Sequence, residues 1–268
     1  MINQIKYILG LFLTLLIASC TYTHKPHQVT EIYSFKEANF DLPKNTLVIF
    51  DVDETLIQPL DSYLINEHTK QGKEFRNHLI KSHPEVKDWD YLVSIILRDA
   101  KRPLIEPCIV YIINNIKSKD LKFIALTGMN TGRLGMYSEL AEWRYEHLKS
   151  LGFQGSFGDK VIKFKADNRN PIFFKGILAT DLTPKGPVLI KFLKEIDYYP
   201  KAIVMFDDDL EHIKSVSDAC KKLGINFMAY HYKGAKSKAW NQNIINYQTE
   251  YLIKHKKWLS DEEVKNVK

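Results

Sequence analysis

The sequence predicts an α/β protein with a doubly wound, mainly parallel sheet. Short apolar runs rich in Val, Ile, Leu and Phe lack the polar alternation of half-exposed strands, so each is typical of a strand covered on both faces. Helical patterns lie between the runs, and this alternation favours a parallel sheet with helices on both faces. The predicted core strands are Thr46–Phe50, Leu121–Leu126, Ala202–Phe206 and Ile225–Tyr230.

Helical spacing of apolar residues defines the intervening elements. Glu106–Ser118 carries isoleucines at this spacing, and Thr131–Leu151 forms a second pattern closed by Gly152. A third pattern, Leu210–Leu223, ends before Gly224, a residue type that commonly stops helices. These three segments are predicted as the helices of the core, which occupies residues 31–56 and 104–234.

Two segments interrupt the alternation. Residues 57–103 are polar, with amphipathic patterns around Gly72–His83 and Asp88–Ala100, and predict a small helical cap insertion. Residues 154–183 predict a β-rich second insertion, with a hairpin formed by Val161–Phe164 and Ile172–Leu178.

Residues 235–268 are predicted as a C-terminal helical extension. Their aromatic residues lie among lysines, a pattern that fits either an amphipathic helix packing its rings on the domain or stacking on nucleic acid. We favour the packed helix. The segment beginning at Ser260, "SDEE", predicts the capped start of a last short helix.

Length and charge limit the function classes. The chain has 268 residues, enough for one sizeable α/β domain with insertions, and a formal net charge of +6. The lysines are scattered and no Arg-rich arm occurs, so the charge favours general solubility and we expect no nucleic-acid partner.

The N-terminal residues have the layout of an export signal. Lys6 precedes an uncharged apolar stretch, Tyr7–Ala18, that is short for a membrane span. The "IASC" that ends at Cys20 resembles a bacterial lipobox, whose cysteine becomes lipidated. The prediction is a signal peptide over residues 1–19, a tether over 20–30 and a lipoprotein anchored in the membrane and facing the periplasm. An uncleaved anchor, or an ordinary signal that releases a soluble periplasmic or secreted protein, is the alternative.

Two further cysteines follow the tether. Cys108 and Cys220 could form a disulfide in an oxidising compartment. Each lies in an apolar helical pattern, so we favour two unpaired thiols within the core.

Acidic, hydroxyl and basic residues follow the predicted strands. Carboxyl ends of parallel strands share one rim of the sheet, where ligands bind. Each residue alone has an ordinary structural explanation, such as a turn or a helix cap, but their joint placement favours a site. The residues are Asp51 and Asp53 after the first strand, Thr127 and Gly128 after the second, Asp207–Asp209 after the third, and Lys185 before the helix leading into the third.

The chemistry of these residue types suits removal of a phosphoryl group. A carboxylate can attack phosphorus and form an acyl phosphate, which makes Asp51, at the strand tip, the candidate nucleophile. Asp53, two residues on, is the candidate acid and base that protonates the leaving group and then activates water. Neighbouring carboxylates repel one another when ionised, which raises their pKa values. A divalent cation that prefers oxygen ligands would offset this repulsion, and Mg²⁺ fits best.

The ordered motifs resemble those of the haloacid dehalogenase (HAD) superfamily of phosphotransferases. "DVDETL" resembles its first motif, "LTG" the second, Lys185 the third and "FDDD" the fourth. The exported start, the D-x-D-E-T form and the closing "WLSDEE" are most similar to the DUF2608 group of bacterial phosphatase-like proteins. The class C acid phosphatases are a less close match.

This resemblance implies roles for individual residues. The metal ligands would be Asp51, the main-chain carbonyl of Asp53, and Asp208, and Asp207 would either bind the metal as well or hold its ligands in place. His212 stands where the family usually has Asp or Asn. Thr127 and the Gly128 amide would bind the phosphoryl group. Lys185 would hold Asp51 and the phosphate charge together.

The predicted function is an exported Mg²⁺-dependent phosphatase acting on a small organic phosphate monoester through an aspartyl phosphate. A phosphotransferase or mutase using the same site, and a non-catalytic lipoprotein that binds a partner, are the alternatives. Several residues near the predicted rim could contact a leaving group or a second phosphate, although for each we favour a surface or structural role. They are Asp61, Tyr63, Arg98, Arg102 and Arg133.

Overall fold

The structure, a computed structural model, describes residues 28–267. Within this part of the chain, eight strands form a single sheet in the order β1-β8-β7-β2-β3-β6-β5-β4. The pairs β1 with β8, β8 with β7, β7 with β2, β2 with β3 and β3 with β6 are parallel, and β4, β5 and β6 pair antiparallel. The strands are β1 Gln28–Ile32, β2 Thr46–Phe50, β3 Lys122–Thr127, β4 Val161–Lys163, β5 Ile172–Phe174, β6 Ile177–Ala179, β7 Ala202–Asp207 and β8 Asn226–Tyr232.

Helices cover both faces of this sheet, which confirms the predicted doubly wound α/β class. Side chains of β2 alternate between two apolar clusters, because successive residues of a strand point to opposite faces. The helices of the described chain are α1 Ser62–Asn66, α2 Lys70–Ser82, α3 Trp89–Asp99, α4 Ile109–Ser118, α5 Leu140–Ser150, α6 Lys185–Glu195, α7 Leu210–Leu223, α8 Gln242–His255 and α9 Asp261–Val267.

The two faces of β2 meet different helices. Val48 and Phe50 pack with the isoleucines of α4, whereas Leu47 and Ile49 pack with Val188 and other apolar residues of α6 and α7. The alternation continues past the strand end, so Asp51 belongs to the face that α6 and α7 cover. The core thereby fixes the side of the sheet on which this carboxylate lies.

The first strand was not predicted. Gln28–Ile32 pairs with β8 in parallel register, so the end of the predicted tether, residues 28–30, is part of the sheet. Most of β1 is exposed and polar, and main-chain hydrogen bonds rather than an apolar run hold it at the sheet edge. The signal peptide, Cys20 and the remainder of the tether lie outside the described residues.

The predicted helix Thr131–Leu151 is wrong in its first half. Helix α5 begins at Leu140, and the preceding segment is a loop closed by hydrogen bonds between Leu134 and Tyr137. Gly132 and Gly135 have φ angles of +78° and +51°, a left-handed backbone that an α-helix excludes.

The predicted strand Ile172–Leu178 is two strands. Lys175 and Gly176, both with positive φ, form a turn between β5 and β6. Strand β6 pairs in parallel with β3, so the β-rich segment extends the main sheet at one edge.

The C-terminal helices pack against the cap helices. Tyr63 of α1 and Leu92 of α3 share an apolar cluster with Leu252 of α8 and with Trp258. The Trp258 indole N–H also donates to the Asp61 carboxylate at 2.9 Å. Cap and C-terminal segment therefore form one helical layer, and its aromatic rings are packed as predicted.

The last helix has the predicted cap. Ser260 Oγ accepts from the Glu263 amide, and the Glu263 carboxylate accepts from the Ser260 amide. Of the cysteines in the described chain, half-buried Cys108 and buried Cys220 are free thiols. None of the helices between residues 28 and 267 has the length and apolar character needed to cross a membrane.

Candidate active site

Asp51 lies at the carboxyl end of β2, in the centre of the sheet. Its amide donates to the Phe206 carbonyl at 2.8 Å, which continues the β2–β7 ladder by one residue. The Asp51 side chain is 7% exposed and forms an ion pair with the Lys185 ammonium. The strand therefore presents one buried carboxylate in a fixed position.

Lys185 is the first residue of α6 and its side chain is 1% exposed. Its ammonium binds both Asp51 and Asp207, the latter at 2.6 Å. The next residue, Gly186, allows close packing of α6 on α7, because a β-carbon there would clash with the Ser215 carbonyl oxygen. The small residue thus positions the helix start from which Lys185 reaches the strand ends.

Asp207 ends β7 and is fully buried. Because Phe50 pairs with Phe206 in register, Asp51 and Asp207 end neighbouring strands at the same level and on the same face. Besides Lys185, the Asp207 carboxylate accepts from the Asp209 amide at 2.9 Å. Two carboxylates consequently share one buried ammonium.

This sharing shifts the three pKa values. Burial raises the pKa of Asp51 well above its usual range, and the attraction of Lys185 offsets this in part. Burial acts against the charge on Lys185, but the two carboxylates outweigh it and raise the Lys185 pKa. Burial also acts to raise the pKa of Asp207, but the charge of Lys185 and the hydrogen bonds to the carboxylate outweigh burial and lower this pKa.

Thr127 ends β3, and Gly128 comes directly after it, on the side of β2 opposite to β7. The register of β2 with β3 pairs Phe50 with Ala125, so Thr127 is level with the residues just beyond Asp51. Thr127 is buried, and its hydroxyl oxygen accepts from the Met129 amide at 3.2 Å, which leaves the hydroxyl hydrogen available to donate.

His212, in the first turn of α7, faces this group. Its Nδ1 lies 3.4 Å from the Asp207 carboxylate. Its ring also lies 4.0 Å from the position that a β-carbon on Gly128 would occupy. The imidazole therefore spans the space between the ends of β7 and β3.

The candidate ligand atoms of Asp51, Asp207 and His212 all lie within 4.8 Å of one another, a spacing that could accommodate a divalent cation. The Asp208 carboxylate falls outside this cluster and instead accepts from the Thr55 hydroxyl at 3.4 Å. Burial, with the charges of Asp207 and Glu54, raises the pKa of Asp208 to about 6. The structure thus places Asp207 beside Asp51, where the resemblance implied Asp208.

Asp53 has a different environment from Asp51. Its side chain is 48% exposed, and both carboxylate oxygens accept from Arg144 Nη2, at 3.0 and 3.1 Å. The following residue, Glu54, has a φ of +63° and donates its amide to the Ile57 carbonyl, which closes a tight loop. Asp53 therefore lies on a constrained turn and is held by an arginine from α5.

Arg144 was missed at the sequence level, although a signal exists. It falls on the buried face of α5 with Leu140, Ala141 and Leu148, where an apolar residue is expected. An arginine within an apolar stripe commonly has a specific partner.

A cavity of about 460 Å³ opens between the end of α3, the loop before α5, and α5 itself. Arg102, Trp143 and His147 are among its lining residues. Several of the lining residues, among them Trp143 and His147, belong to α5, the helix that also carries Arg144, the partner of Asp53.

The other predicted contact residues differ in their surroundings. Asp61 is buried and binds Trp258 and the Asp261 amide, and Tyr63 packs within the helical layer. Arg98 pairs with Asp99 and also lines the cavity, and Arg133 is exposed.

Comparison with known proteins connects the chain to one family. The family model described as "Protein of unknown function (DUF2608)" matches residues 27–265. An uncharacterised protein of Rickettsia prowazekii (strain Madrid E) is 24% identical over 271 residues, covering 97% of both chains. A Chlamydia pneumoniae protein whose name proposes an outer membrane protein is 23% identical and covers 94% of both chains.

Two solved structures overlap the fold in part. A HAD family hydrolase from Salmonella enterica serovar Typhi has a TM-score of 0.34 at 16% identity, covering 72% of this chain and 69% of its own. A HAD-superfamily hydrolase from Geobacter sulfurreducens PCA has a TM-score of 0.37 at 16% identity, covering 75% and 95%. The family model, which spans nearly all of the described residues, shows that the chain belongs to the DUF2608 family.

Proposed function

We propose that this protein is a phosphatase that hydrolyses an organic phosphate monoester through an aspartyl phosphate on Asp51. The observation that carries the proposal is the buried set of Asp51, Lys185 and Asp207, on neighbouring parallel strand ends. The order of the four HAD-like motifs along the chain supports the same chemistry.

In the first step, an Asp51 carboxylate oxygen attacks phosphorus, and the bond from phosphorus to the ester oxygen breaks. Asp53 supplies a proton to the departing oxygen. Lys185 offsets the negative charge near the reacting group, and Thr127 and Gly128 donate to the phosphoryl oxygens.

In the second step, water attacks phosphorus and the bond to Asp51 breaks. The water proton passes to Asp53, inorganic phosphate is released and Asp51 is a carboxylate again. Asp53 thus alternates between acid and base, a role that its 48% exposure suits because it must exchange protons with ligand and solvent.

A divalent cation fits this site, because two carboxylates and an imidazole converge there. Asp51 and Asp207 would hold it with His212, and Asp208 would support them. Bound Mg²⁺ would supply compensation for the charge that develops on the phosphoryl group.

The cavity along α5 would accept the organic part of the ester. It is lined in part by α5, and Arg144 of the same helix holds Asp53, the acid proposed to protonate the leaving group. Aromatic and cationic residues line it, which favours a leaving group with apolar surface and polar substituents.

The test is hydrolysis of 4-nitrophenyl phosphate by wild type and Asp51→Asn, with Mg²⁺ and with chelator. We expect metal-dependent turnover by wild type and a loss of roughly 10³-fold or more in the variant. Equal rates for the two proteins would contradict the assignment of Asp51.

We also propose that the protein is exported and anchored through lipid on Cys20. The "IASC" sequence and the outer-membrane name of the Chlamydia relative support this. Incorporation of labelled fatty acid into wild type but not Cys20→Ser is the expected result. Equal labelling would exclude Cys20 as the anchor.

A further inference from the structure

Arg144 is a buried cation whose placement is not explained by stability. Its side chain is 6% exposed, and its guanidinium carbon lies 4.7 Å from the centre of the Trp143 ring. Its Nε and Nη1 atoms are buried without a hydrogen-bond partner. Unpaired buried N–H groups are costly, and a buried charge often stabilises less than an apolar residue of similar volume.

An apolar side chain at position 144 would continue the buried stripe of α5 without that cost. What arginine provides here, and an apolar residue would not, is the contact from Nη2 to the Asp53 carboxylate. Asp53 is the ion-pair partner of Arg144 within the described chain. Residues that break a local rule in this way are commonly functional.

We propose that Arg144 is a positioning residue for Asp53, acting in the step that hydrolyses the aspartyl phosphate. The proposal rests on the proposed phosphatase function. The base that accepts the water proton must present one oxygen to that water in a defined direction. Arg144 reaches both oxygens of Asp53 and so fixes the orientation of this base.

Arg144 would act in the second step, hydrolysis of the aspartyl phosphate. The water oxygen bonds to phosphorus, the bond from phosphorus to Asp51 breaks, and the water proton moves to an Asp53 oxygen. Without Arg144, Asp53 is free to rotate on its half-exposed turn, so proton transfer slows. Formation of the aspartyl phosphate from 4-nitrophenyl phosphate depends less on Asp53, because 4-nitrophenolate is a stable anion that leaves with little help from an acid.

The test compares wild type with Arg144→Met, an apolar residue of similar length, on 4-nitrophenyl phosphate with Mg²⁺. We expect kcat to fall about tenfold to a hundredfold while kcat/KM, which reports formation of the aspartyl phosphate, changes by less than about threefold. A burst of 4-nitrophenol close to one equivalent should precede the slow steady state.

A double-mutant comparison separates positioning from structure. If Arg144 acts through Asp53, then Arg144→Met in an Asp53→Asn background should change kcat by less than about twofold. Lys149→Gln, on an exposed pair in the same helix, is the matched control and should behave as wild type. Arg144→Lys, which keeps the charge, should lose less in kcat than the methionine variant and serves as the test if that variant does not fold.

The possible results are distinguishable. A parallel fall of kcat and kcat/KM without a burst, or an undiminished loss in the Asp53→Asn background, would overturn the role of Arg144 while leaving the phosphatase intact. Absence of wild-type turnover on aryl phosphates would overturn the proposed function, and the role of Arg144 with it.

Discussion

Asp51 and Asp53 are two residues apart, yet the fold gives them opposite environments. Asp51 is 7% exposed and held by a lysine from the core helix α6, whereas Asp53 is 48% exposed and held by an arginine from α5. A nucleophile benefits from a fixed position, and a proton-transfer group needs access to solvent and ligand. The contrast matches the two different roles that we propose for these carboxylates.

The largest effect is expected from breaking the buried group around Asp51. Lys185→Met would leave Asp51 and Asp207 buried without their shared cation, and removing one partner of a buried ion pair costs about 3–5 kcal/mol. We expect this loss in urea unfolding, together with at least a roughly hundredfold loss of phosphatase turnover.

Lys214→Met is the control for that variant, because Lys214 forms an exposed pair with Asp218. Its unfolding curve in urea should lie close to that of wild type, because exposed ion pairs contribute little to stability. Similar unfolding curves for the two variants would show that the Asp51 group is not a buried unit.

A smaller effect is expected at the edge of the same group. His212→Asp would replace the imidazole by the residue type that the HAD motif usually has, and so change the donor set from mixed nitrogen and oxygen to oxygen alone. Because imidazole suits Zn²⁺ better than Mg²⁺, the ratio of Mg²⁺ to Zn²⁺ affinity should rise about tenfold. Calorimetric titration measures this, and an unchanged ratio would place His212 outside the metal's ligands.

Part of this arrangement could be predicted from the sequence. The end of β2 is visible in the sequence as an apolar run followed by acidic residues. Strands that are apolar on both faces are typical of the parallel sheets of α/β proteins, so the fold class follows from them. The identity of the rim residues follows from which residues end each strand. Local pattern therefore predicted the fold class and the residues that end the strands.

Contacts between distant segments were not predictable in this way. The pair Arg144–Asp53 joins residues 91 positions apart, and Trp258 reaches Asp61 across 197 positions. Strand β1 depends on pairing with β8, which its mostly exposed sequence does not signal. The placement of Asp207 rather than Asp208 beside Asp51 follows from strand register and side-chain alternation.

The smallest effect is expected near Asp53. Burial, reinforced by the charge of Arg144, lowers the pKa of His147 to about 4, below its value of about 6.5 in an unfolded chain. Between these values the unfolded state binds an additional proton, so folding stability should fall as the pH falls from about 6.5 to about 4.

His147→Gln should weaken that dependence. The fall in melting temperature between pH 7 and pH 5 should be smaller than in wild type by about 2–4 °C, as scanning calorimetry would measure. An identical pH dependence in both proteins would mean that His147 does not titrate in this range.

The most direct test of the account is chemical identification of the phosphorylated residue. Wild type would be mixed with 4-nitrophenyl phosphate and Mg²⁺, quenched during turnover and reduced with borohydride, which converts an aspartyl phosphate to homoserine. We predict that mass spectrometry finds homoserine at position 51. Turnover with an unmodified Asp51, or with homoserine at position 53 or 207, would contradict the central claim.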